Sequence, residues 1–197
     1  MPKVTDEYRS ARRAEIAEAA QAAFRRKGFQ ATSMAEIMAE SGLSAGAIYN
    51  QYKGKADIVH DVANRISRQR LDELDELKAQ NPLPAPSAVV RALITAMASD
   101  LTAPAQLLQV WGEAATDPDL AEMCGKVYLT MRQAHIEYIS LWHQREHGLS
   151  PEEADAVGVA QAPLFLSAVH GYVVQSTIVP DFDGAAYLDA MEALLPR

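Results

Sequence analysis

Apolar residues recur at intervals of three and four along most of the chain, which is the spacing of one helical face. No segment alternates with period two, so we expect no sheet. Pro104, Pro118 and Pro151 lie at predicted helix starts, where proline is tolerated. The pattern predicts an all-α fold of about nine helices, at 5–27, two short helices within 32–55, and then 55–80, 86–102, 104–115, 118–147, 151–178 and 183–195.

The two short helices form a distinct unit. Ser33 is followed three residues later by Glu36, the spacing of a capping box. Gly42 suits the left-handed conformation that ends a helix, and Ser44 suits the next N-cap. We expect the second helix to run through Gln51 and to end before Gly54. Two short helices joined by a turn that contains glycine are typical of a helix-turn-helix.

The second short helix has little to bury. Only Ile48, followed by Tyr52, has an evident inward role. Its other residues are small or planar and polar, and asparagine and glutamine can pair with adenine edges in the major groove. A short surface helix packed on its neighbours explains the same composition, so the residues alone leave both interpretations open.

From about Ile16 to Val62 the chain resembles the DNA-binding domain of the TetR family of bacterial repressors. The resemblance rests on a set of anchors in the family's order: Phe24, Gly28-Phe29, Thr32-Ser33-Met34, Gly42-Leu43-Ser44, Gly46, Ile48-Tyr49, Tyr52 and Lys55. Two positions depart from the pattern. Gln51 stands where the family usually has His, and Gly54 where it often has Ser.

The resemblance implies a domain organisation and partners. Residues 1–54 would be a three-helix helix-turn-helix domain. Residues 55–197 would be a helical-bundle regulatory domain, with helix 55–80 as connector and the proline-rich stretch 81–86 as the break after it. A homodimer would bind double-stranded, palindromic operator DNA as a repressor and leave it when a small-molecule effector binds. The implied DNA-binding residues are Thr32, Ser33, Ser44, Ala45, Gly46, Tyr49, Asn50, Gln51, Tyr52 and Lys55.

Charge is divided unevenly along the chain. The net charge is −8, but residues 1–55 hold nine Lys and Arg against six Asp and Glu, whereas the rest holds nine against twenty. A basic N-terminal part with an acidic remainder fits a DNA-binding domain joined to a regulatory domain. Unevenly spread surface charge is the simpler alternative.

Segment 118–147 carries aromatic and polar-tipped side chains on one face. Their default role is core, but such groups in an apolar setting also suit a small-molecule pocket. The family places its effector pocket in this domain, without naming its residues here. We therefore expect pocket residues among Trp111, Tyr128, Met131, His135, Tyr138 and Phe165.

Segment 151–178 carries a stripe of small residues that allows close helix packing, with Pro163 as a predicted kink. The resemblance assigns the last two helices to a four-helix dimer interface, and an intramolecular packing face is the alternative. The predicted interface residues are Leu164, Ala168, Gly171, Gln175, Tyr187 and Met191.

The sequence offers only weak signals for redox, membrane, hydrolase or metal-binding functions. Cys124 is the single cysteine, and there is no CxxC motif. The charged N-terminus and the lack of a long apolar run predict a cytoplasmic protein without a membrane span. Residues 42–46 match GxSxG, and His143 and His147 have a possible metal-ligand spacing, but neither has its required context. We expect no enzyme, metal or cofactor; a helical small-molecule enzyme or an adaptor that never touches DNA is the alternative.

Overall fold

The computed structural model describes residues 6–99 and 104–195. These residues form nine helices and no strand, which confirms the predicted all-α class. The helices are α1 (Asp6–Lys27), α2 (Met34–Ser41), α3 (Ala45–Tyr49), α4 (Lys55–Lys78), α5 (Pro86–Ser99), α6 (Pro104–Ala114), α7 (Pro118–His147), α8 (Pro151–Ile178) and α9 (Gly184–Leu194).

Helix starts follow the predicted signals closely, whereas some ends fall earlier. Prolines open α5, α6, α7 and α8. The helix α3 ends at Tyr49 rather than at Gln51, because the backbone N–H groups of Gln51 and Tyr52 both donate to the carbonyl of Ile48 in a tight turn. The predicted last residues of segment 86–102 lie outside the described residues.

The chain divides into two compact units between Ile66 and Ser67, within α4. The expected division was at the start of this helix. The first turns of α4 bury Ile58, Val59 and Val62, and therefore belong to the core of the N-terminal unit. We call the N-terminal unit the head and the C-terminal unit the body.

The head is built on the predicted stripe of α1. Ile16, Ala20 and Phe24 are among its buried residues, and Ile37 of α2 and Ile48 of α3 are fully buried. The helices α1 and α2 pack on each other. Each short helix thus contributes one fully buried isoleucine, and its remaining surface is left for other contacts.

The body packs α7 and α8 along each other, with α5, α6 and α9 around them. Gly158 of α8 allows the closest approach, since a Cβ built there would lie 2.7 Å from the carbonyl oxygen of Ile136 in α7. Two buried clusters fill the unit. Cluster A is Val90, Ile94, Met97, Ile136, Ile139, Ala162, Phe165, Val173, Leu188 and Met191. Cluster B is Leu74, Leu83, Val89, Ala134, Tyr138 and Trp142.

By length and composition, α8 is apolar enough to cross a membrane, contrary to the expectation of no such segment. Core helices of folded domains meet the same criterion. Here α8 packs against α5, α6, α7 and α9, and its residues Ala162, Phe165 and Val173 are completely buried. These contacts account for part of its apolar composition, while Val159, Leu164 and Ile178 remain exposed.

Candidate functional site

The turn between α2 and α3 is fixed by local caps. The Ser33 hydroxyl accepts a hydrogen bond from the N–H of Glu36 at 3.3 Å, and the Glu36 carboxylate accepts from the N–H of Ser33 at 2.8 Å. The ion pair with Lys27, followed by the bonds from Ser33, lowers the pKa of Glu36 to about 2. Gly42 ends α2 in the left-handed conformation, at φ 65°. The predicted capping box and glycine stop are both confirmed.

The helix α3 presents an almost bare surface. Ser44 caps it, with its hydroxyl accepting from the N–H of Ala47 at 3.3 Å. Ile48 is its only buried residue. Ala45, Gly46 and Asn50 are exposed, and Tyr49 is 53% exposed. A Cβ built at Gly46 would meet nothing within 4 Å. This surface is therefore free to approach another molecule closely.

Tyr52, by contrast, is a core residue at 2% exposure. Its hydroxyl lies 2.5 Å from Asp61 Oδ2, and the Arg13 guanidinium lies 4.2 Å from its ring centre. Arg13 also donates to the carbonyl of Gln51 at 2.9 Å, and so ties α1 to the end of α3. This network corrects the expectation that the Tyr52 hydroxyl contacts DNA.

The pKa values of this network reflect its burial. Burial raises the pKa of Tyr52, and the hydrogen bond with Asp61 and its charge raise it further. Burial also raises the pKa of Asp61, but hydrogen bonds from Tyr52 and Arg65, together with the charges of Arg65 and Arg13, outweigh it. The pKa of Asp61 consequently lies below its ordinary value, and the carboxylate stays charged at neutral pH.

Thr32 and Lys55 also face inward. Thr32 is 1% exposed, and its hydroxyl donates to the carbonyl of Gly28 at 2.7 Å. The Lys55 ammonium donates to the carbonyls of Phe29, Gln30 and Thr32 at 3.0, 3.2 and 3.1 Å. An ammonium has three donors. All three are used within the head, which corrects the expectation that these two side chains hold phosphates.

Lys53, unlike Lys55, has an exposed side chain, and its ammonium has no partner in the described part of the chain. Only its backbone N–H is engaged, donating to Asp57 at 2.8 Å. The expectation of Lys55 as a phosphate contact overlooked Lys53, two positions earlier. The signal available was its place in the loop just before α4, where a lysine has no helix of its own to pack against.

In the body, the predicted pocket residues separate into two groups. Tyr138 is 1% exposed within cluster B, and its hydroxyl donates to the carbonyl of Pro84 at 2.9 Å. Phe165 is completely buried within cluster A. Burial raises the pKa of Tyr138 to about 12. Both residues are therefore packing residues, which corrects their assignment to a pocket.

The other pocket candidates lie along α6 and α7, and Trp111 and Tyr128 among them contact His170 of α8. The Trp111 ring stands edge-on to the His170 ring, with centres 4.9 Å apart, and the Tyr128 ring lies 6.0 Å from the same His170. Burial lowers the pKa of His170, which favours its neutral form. We call Trp111, Tyr128 and His170 the aromatic trio. The sequence analysis missed His170, because it stands as a single histidine in an apolar helix.

The head, but not the body, matches the model of a known protein family. Residues 16–62 match the family model described as bacterial regulatory proteins, tetR family. Over this segment the chain is similar to the TetR family. Its matched segment begins inside α1 and ends inside α4, so it includes the exposed α3 surface and most of the Tyr52 network.

Curated relatives match only part of the chain, whereas solved structures match nearly all of it. The chain is 42% identical over 72 residues to the uncharacterised HTH-type transcriptional regulator YfiR of Bacillus subtilis, covering 36% of this chain and 33% of YfiR. It spans less than half the length of the curated relatives it matches. The solved structure of Salmonella enterica GusR superimposes with a TM-score of 0.75 at 20% identity, over 98% of this chain and 96% of GusR.

A second structure is that of the Bacillus subtilis transcriptional regulator FadR in complex with stearoyl-CoA. It matches with a TM-score of 0.69 at 15% identity, over 92% of this chain and 96% of FadR. These structural matches show that the chain has the same all-α fold as these two solved structures.

Most of the predicted dimer residues make contacts within the chain. Met191 is 7% exposed in cluster A. The Tyr187 hydroxyl donates to the carbonyl of Ala168 at 2.7 Å, and a Cβ at Gly171 would lie 2.6 Å from that hydroxyl oxygen. Leu164, 53% exposed, and Gln175 remain on the surface. Four of the six residues, Ala168, Gly171, Tyr187 and Met191, thus make intramolecular contacts, and their part in a dimer interface stays a prediction.

The remaining chemical motifs have structural roles. Ser44 of the GxSxG match is a helix cap, and no strand precedes it in the described residues. His143 and His147 contact the Trp142 ring with centres 4.9 and 4.7 Å apart. Burial raises the pKa of Cys124, which disfavours the reactive thiolate. Within residues 6–99 and 104–195 there is no cluster of three or more metal-ligating side chains.

Proposed function

We propose that the protein is a ligand-responsive transcriptional regulator that binds a palindromic operator as a homodimer and represses transcription until an effector releases it. The observation that carries this proposal is the bare outer surface of α3, held by capped ends and by one buried isoleucine. A helix that serves only to pack would bury more of its residues. DNA in the cytoplasm is the partner that fits.

The proposed contacts follow from exposure. Ala45, Gly46 and Asn50 lie nearest the base edges, where asparagine can read adenine. Exposed or half-exposed polar groups around them hold phosphates and fix the register. These phosphate contacts are Ser33, Ser44, Tyr49, Gln51 and Lys53. In a dimer, the two α3 helices would enter successive major grooves about 34–36 Å apart.

A mobility-shift titration tests the proposal. The full chain is titrated against DNA from upstream of its own gene and against a scrambled duplex of the same composition at physiological salt. We expect the upstream DNA to bind at least 100-fold more tightly, within the usual range of specific over non-specific binding. Equal affinity for the two duplexes, or no binding to either, would refute the proposal.

Lys53 and Lys55 form a matched pair of variants. We expect Lys53→Met to weaken binding to all duplexes and to reduce the slope of log K against log salt by about one, because one phosphate contact is lost. Lys55→Met should leave that slope unchanged. It should instead lower the free energy of unfolding by about 1–2 kcal/mol, since three hydrogen bonds from a charged donor are lost.

Salt-dependent binding isotherms and urea unfolding followed by circular dichroism measure the two effects. A smaller salt slope for Lys55→Met, with an unchanged free energy of unfolding, would show that Lys55 contacts a phosphate of the DNA after all. Unchanged slope for Lys53→Met would remove Lys53 from the proposed contacts.

The proposed dimer uses the apolar side of α8 that this chain leaves uncovered. Val159, Leu164 and Ile178 are 49, 53 and 62% exposed. We expect Leu164→Asp to convert a dimer into a monomer, because a buried carboxylate without a partner costs several kcal/mol. Light scattering after gel filtration measures the mass. Leu129→Asp, at an equally exposed leucine of α7, is the control and should remain dimeric.

Effector control needs a ligand that prefers the state with low DNA affinity, since equal affinity for both states shifts nothing. The helix α4 contributes residues to both head and body and is the proposed route of coupling. The aromatic trio and the neighbouring face of α7 are the proposed effector region. The ligand-bound FadR structure supports a ligand role for the same fold.

A further inference from the structure

Among the described residues of the body, His135 Nε2 is one of three buried side-chain polar atoms that have no hydrogen-bond partner, with His143 Nε2 and Gln161 Oε1. His135 is 6% exposed, and its Nδ1 lies 2.8 Å from the carbonyl oxygen of Met131, one turn earlier in α7. Because a carbonyl oxygen can only accept, Nδ1 carries the proton. In a neutral ring, Nε2 is then an acceptor. Nε2 is buried and has no hydrogen-bond partner, although buried polar groups are nearly always paired.

Residues 6–99 and 104–195 offer no evident donor to this atom. The Tyr138 hydroxyl, one turn further along α7, donates to the carbonyl of Pro84. The Ser140 hydroxyl lies 2.5 Å from a carboxylate oxygen of Asp155. The adjacent residues belong to the two apolar clusters, with Ala134 and Tyr138 in cluster B and Ile136 and Ile139 in cluster A. His135 therefore lies on the α7 face between the clusters.

Side-chain exposure decreases along one face of α7 from the surface to His135. Tyr128, Met131 and His135 follow at spacings of three and four residues and so share one helical face. Along it, exposure falls from 37% at Tyr128, through half-buried Met131, to 6% at His135. The distance along the helix is about 10 Å. The aromatic trio stands at the open end, and its rings supply flat apolar surface beside Tyr128.

We propose that His135 anchors the effector, and that the effector is a neutral aromatic or alicyclic molecule whose single hydroxyl or N–H donates to His135 Nε2. The ring of the ligand lies along the face between Tyr128 and His135. This inference rests on the proposed function for its biological meaning, but the binding itself does not depend on DNA.

The same geometry excludes carboxylate effectors. A carboxylate would place its lone pairs against the lone pair of Nε2 and would need a protonated ring. Burial lowers the pKa of His135, and the bond to the Met131 carbonyl only partly opposes this effect. The ligand therefore meets a neutral imidazole, whose Nε2 selects a ligand group that donates a hydrogen bond.

The experiment uses the full chain and matched probes. Phenol, 4-ethylphenol, 2-naphthol and 4-phenylphenol are each compared with their O-methyl ether, which keeps the shape and removes the donor, and 2-naphthol also with 2-naphthoate. Affinity is measured by calorimetric titration and by the rise in Tm that a native-state ligand produces. We expect at least one phenol to bind tenfold or more tightly than its ether, and 2-naphthoate not to bind.

Variants locate the effect at one residue. His135→Phe should bring the phenol-to-ether affinity ratio to about one, and His135→Gln, which keeps an acceptor, should retain a preference for the phenol. His147→Phe, at an exposed histidine of the same helix, is the control and should keep the wild-type ratio. Should His135→Phe not fold, the ¹⁵N signal of wild-type His135 Nε2 decides: it should shift with the phenol and not with the ether.

Three results would overturn the inference: no phenol distinguished from its ether, a ratio that survives in His135→Phe, or an Nε2 signal that the phenol leaves unchanged. The outcome is separable from the proposed function. Phenol discrimination without operator binding would refute the regulator and keep the site, whereas operator binding without discrimination would refute the site alone.

Discussion

Gly46→Leu is expected to lower the affinity for operator DNA more than tenfold while the head stays folded. The reason is steric. A side chain at position 46 meets no protein atom within 4 Å and points into open space. On the proposed DNA surface, that space is where the base edges and sugar-phosphate backbone come closest. A leucine there would hold α3 away from the groove and weaken every contact at once.

The same change is expected to raise stability slightly, since glycine within a helix costs about 0.5–1 kcal/mol relative to better helix formers. Binding titrations and urea unfolding measure the two opposite effects. Gly125→Leu is the matched control, because Gly125 is an exposed glycine of α7 with nothing near its Cβ position. Equal operator affinity for Gly46→Leu and wild type would show that α3 does not face DNA at this residue.

Gly158→Ala is expected to destabilise the body by about 1–3 kcal/mol, the usual cost of overpacking a close contact. The added Cβ would lie 2.7 Å from the backbone carbonyl oxygen of Ile136 and 3.3 Å from its Cγ2. A backbone oxygen cannot rotate away as a flexible side chain can. The helices α7 and α8 would have to separate, and the packing between them would loosen.

Gly125→Ala is the control for this variant as well, and should gain about 0.5–1 kcal/mol from helix propensity alone. Denaturant unfolding followed by tryptophan fluorescence measures both, because Trp111 and Trp142 lie in the body. If the two glycine variants lost equal stability, the α7–α8 approach at Gly158 would not be as close as described.

Sequence predicted those features whose causes are local. The capping box of Ser33 and Glu36, the left-handed Gly42 and the prolines at helix starts each act within one turn of the chain. For the same reason, the exposed surface of α3 was readable: its residue types have almost nothing to bury except Ile48. The all-α class and the resemblance of the head to the TetR family followed from these signals.

Long-range partners were not readable from the chain. Tyr52 meets Arg13 and Asp61 only after α1 and α4 have packed, so the pattern indicated its inward position but not the partners of its hydroxyl, and the resemblance placed it among the DNA-binding residues. Lys55 reaches carbonyls 23 to 26 residues earlier in the sequence. Helical spacing predicted that the aromatic residues of α7 share one face. It could not predict which residues of the other helices each of them contacts.

The single buried residue of α3 has a consequence for the evolution of operator choice. Positions 45, 46, 49 and 50 are exposed and lie outside the head's core, so on the proposed DNA surface substitutions there would be filtered by DNA affinity and hardly by folding. Specificity can therefore change by single substitutions that cost little stability, while Ile48, Tyr52 and Lys55 keep the helix in place. A library randomised at these four exposed positions would sample new operators on a constant scaffold.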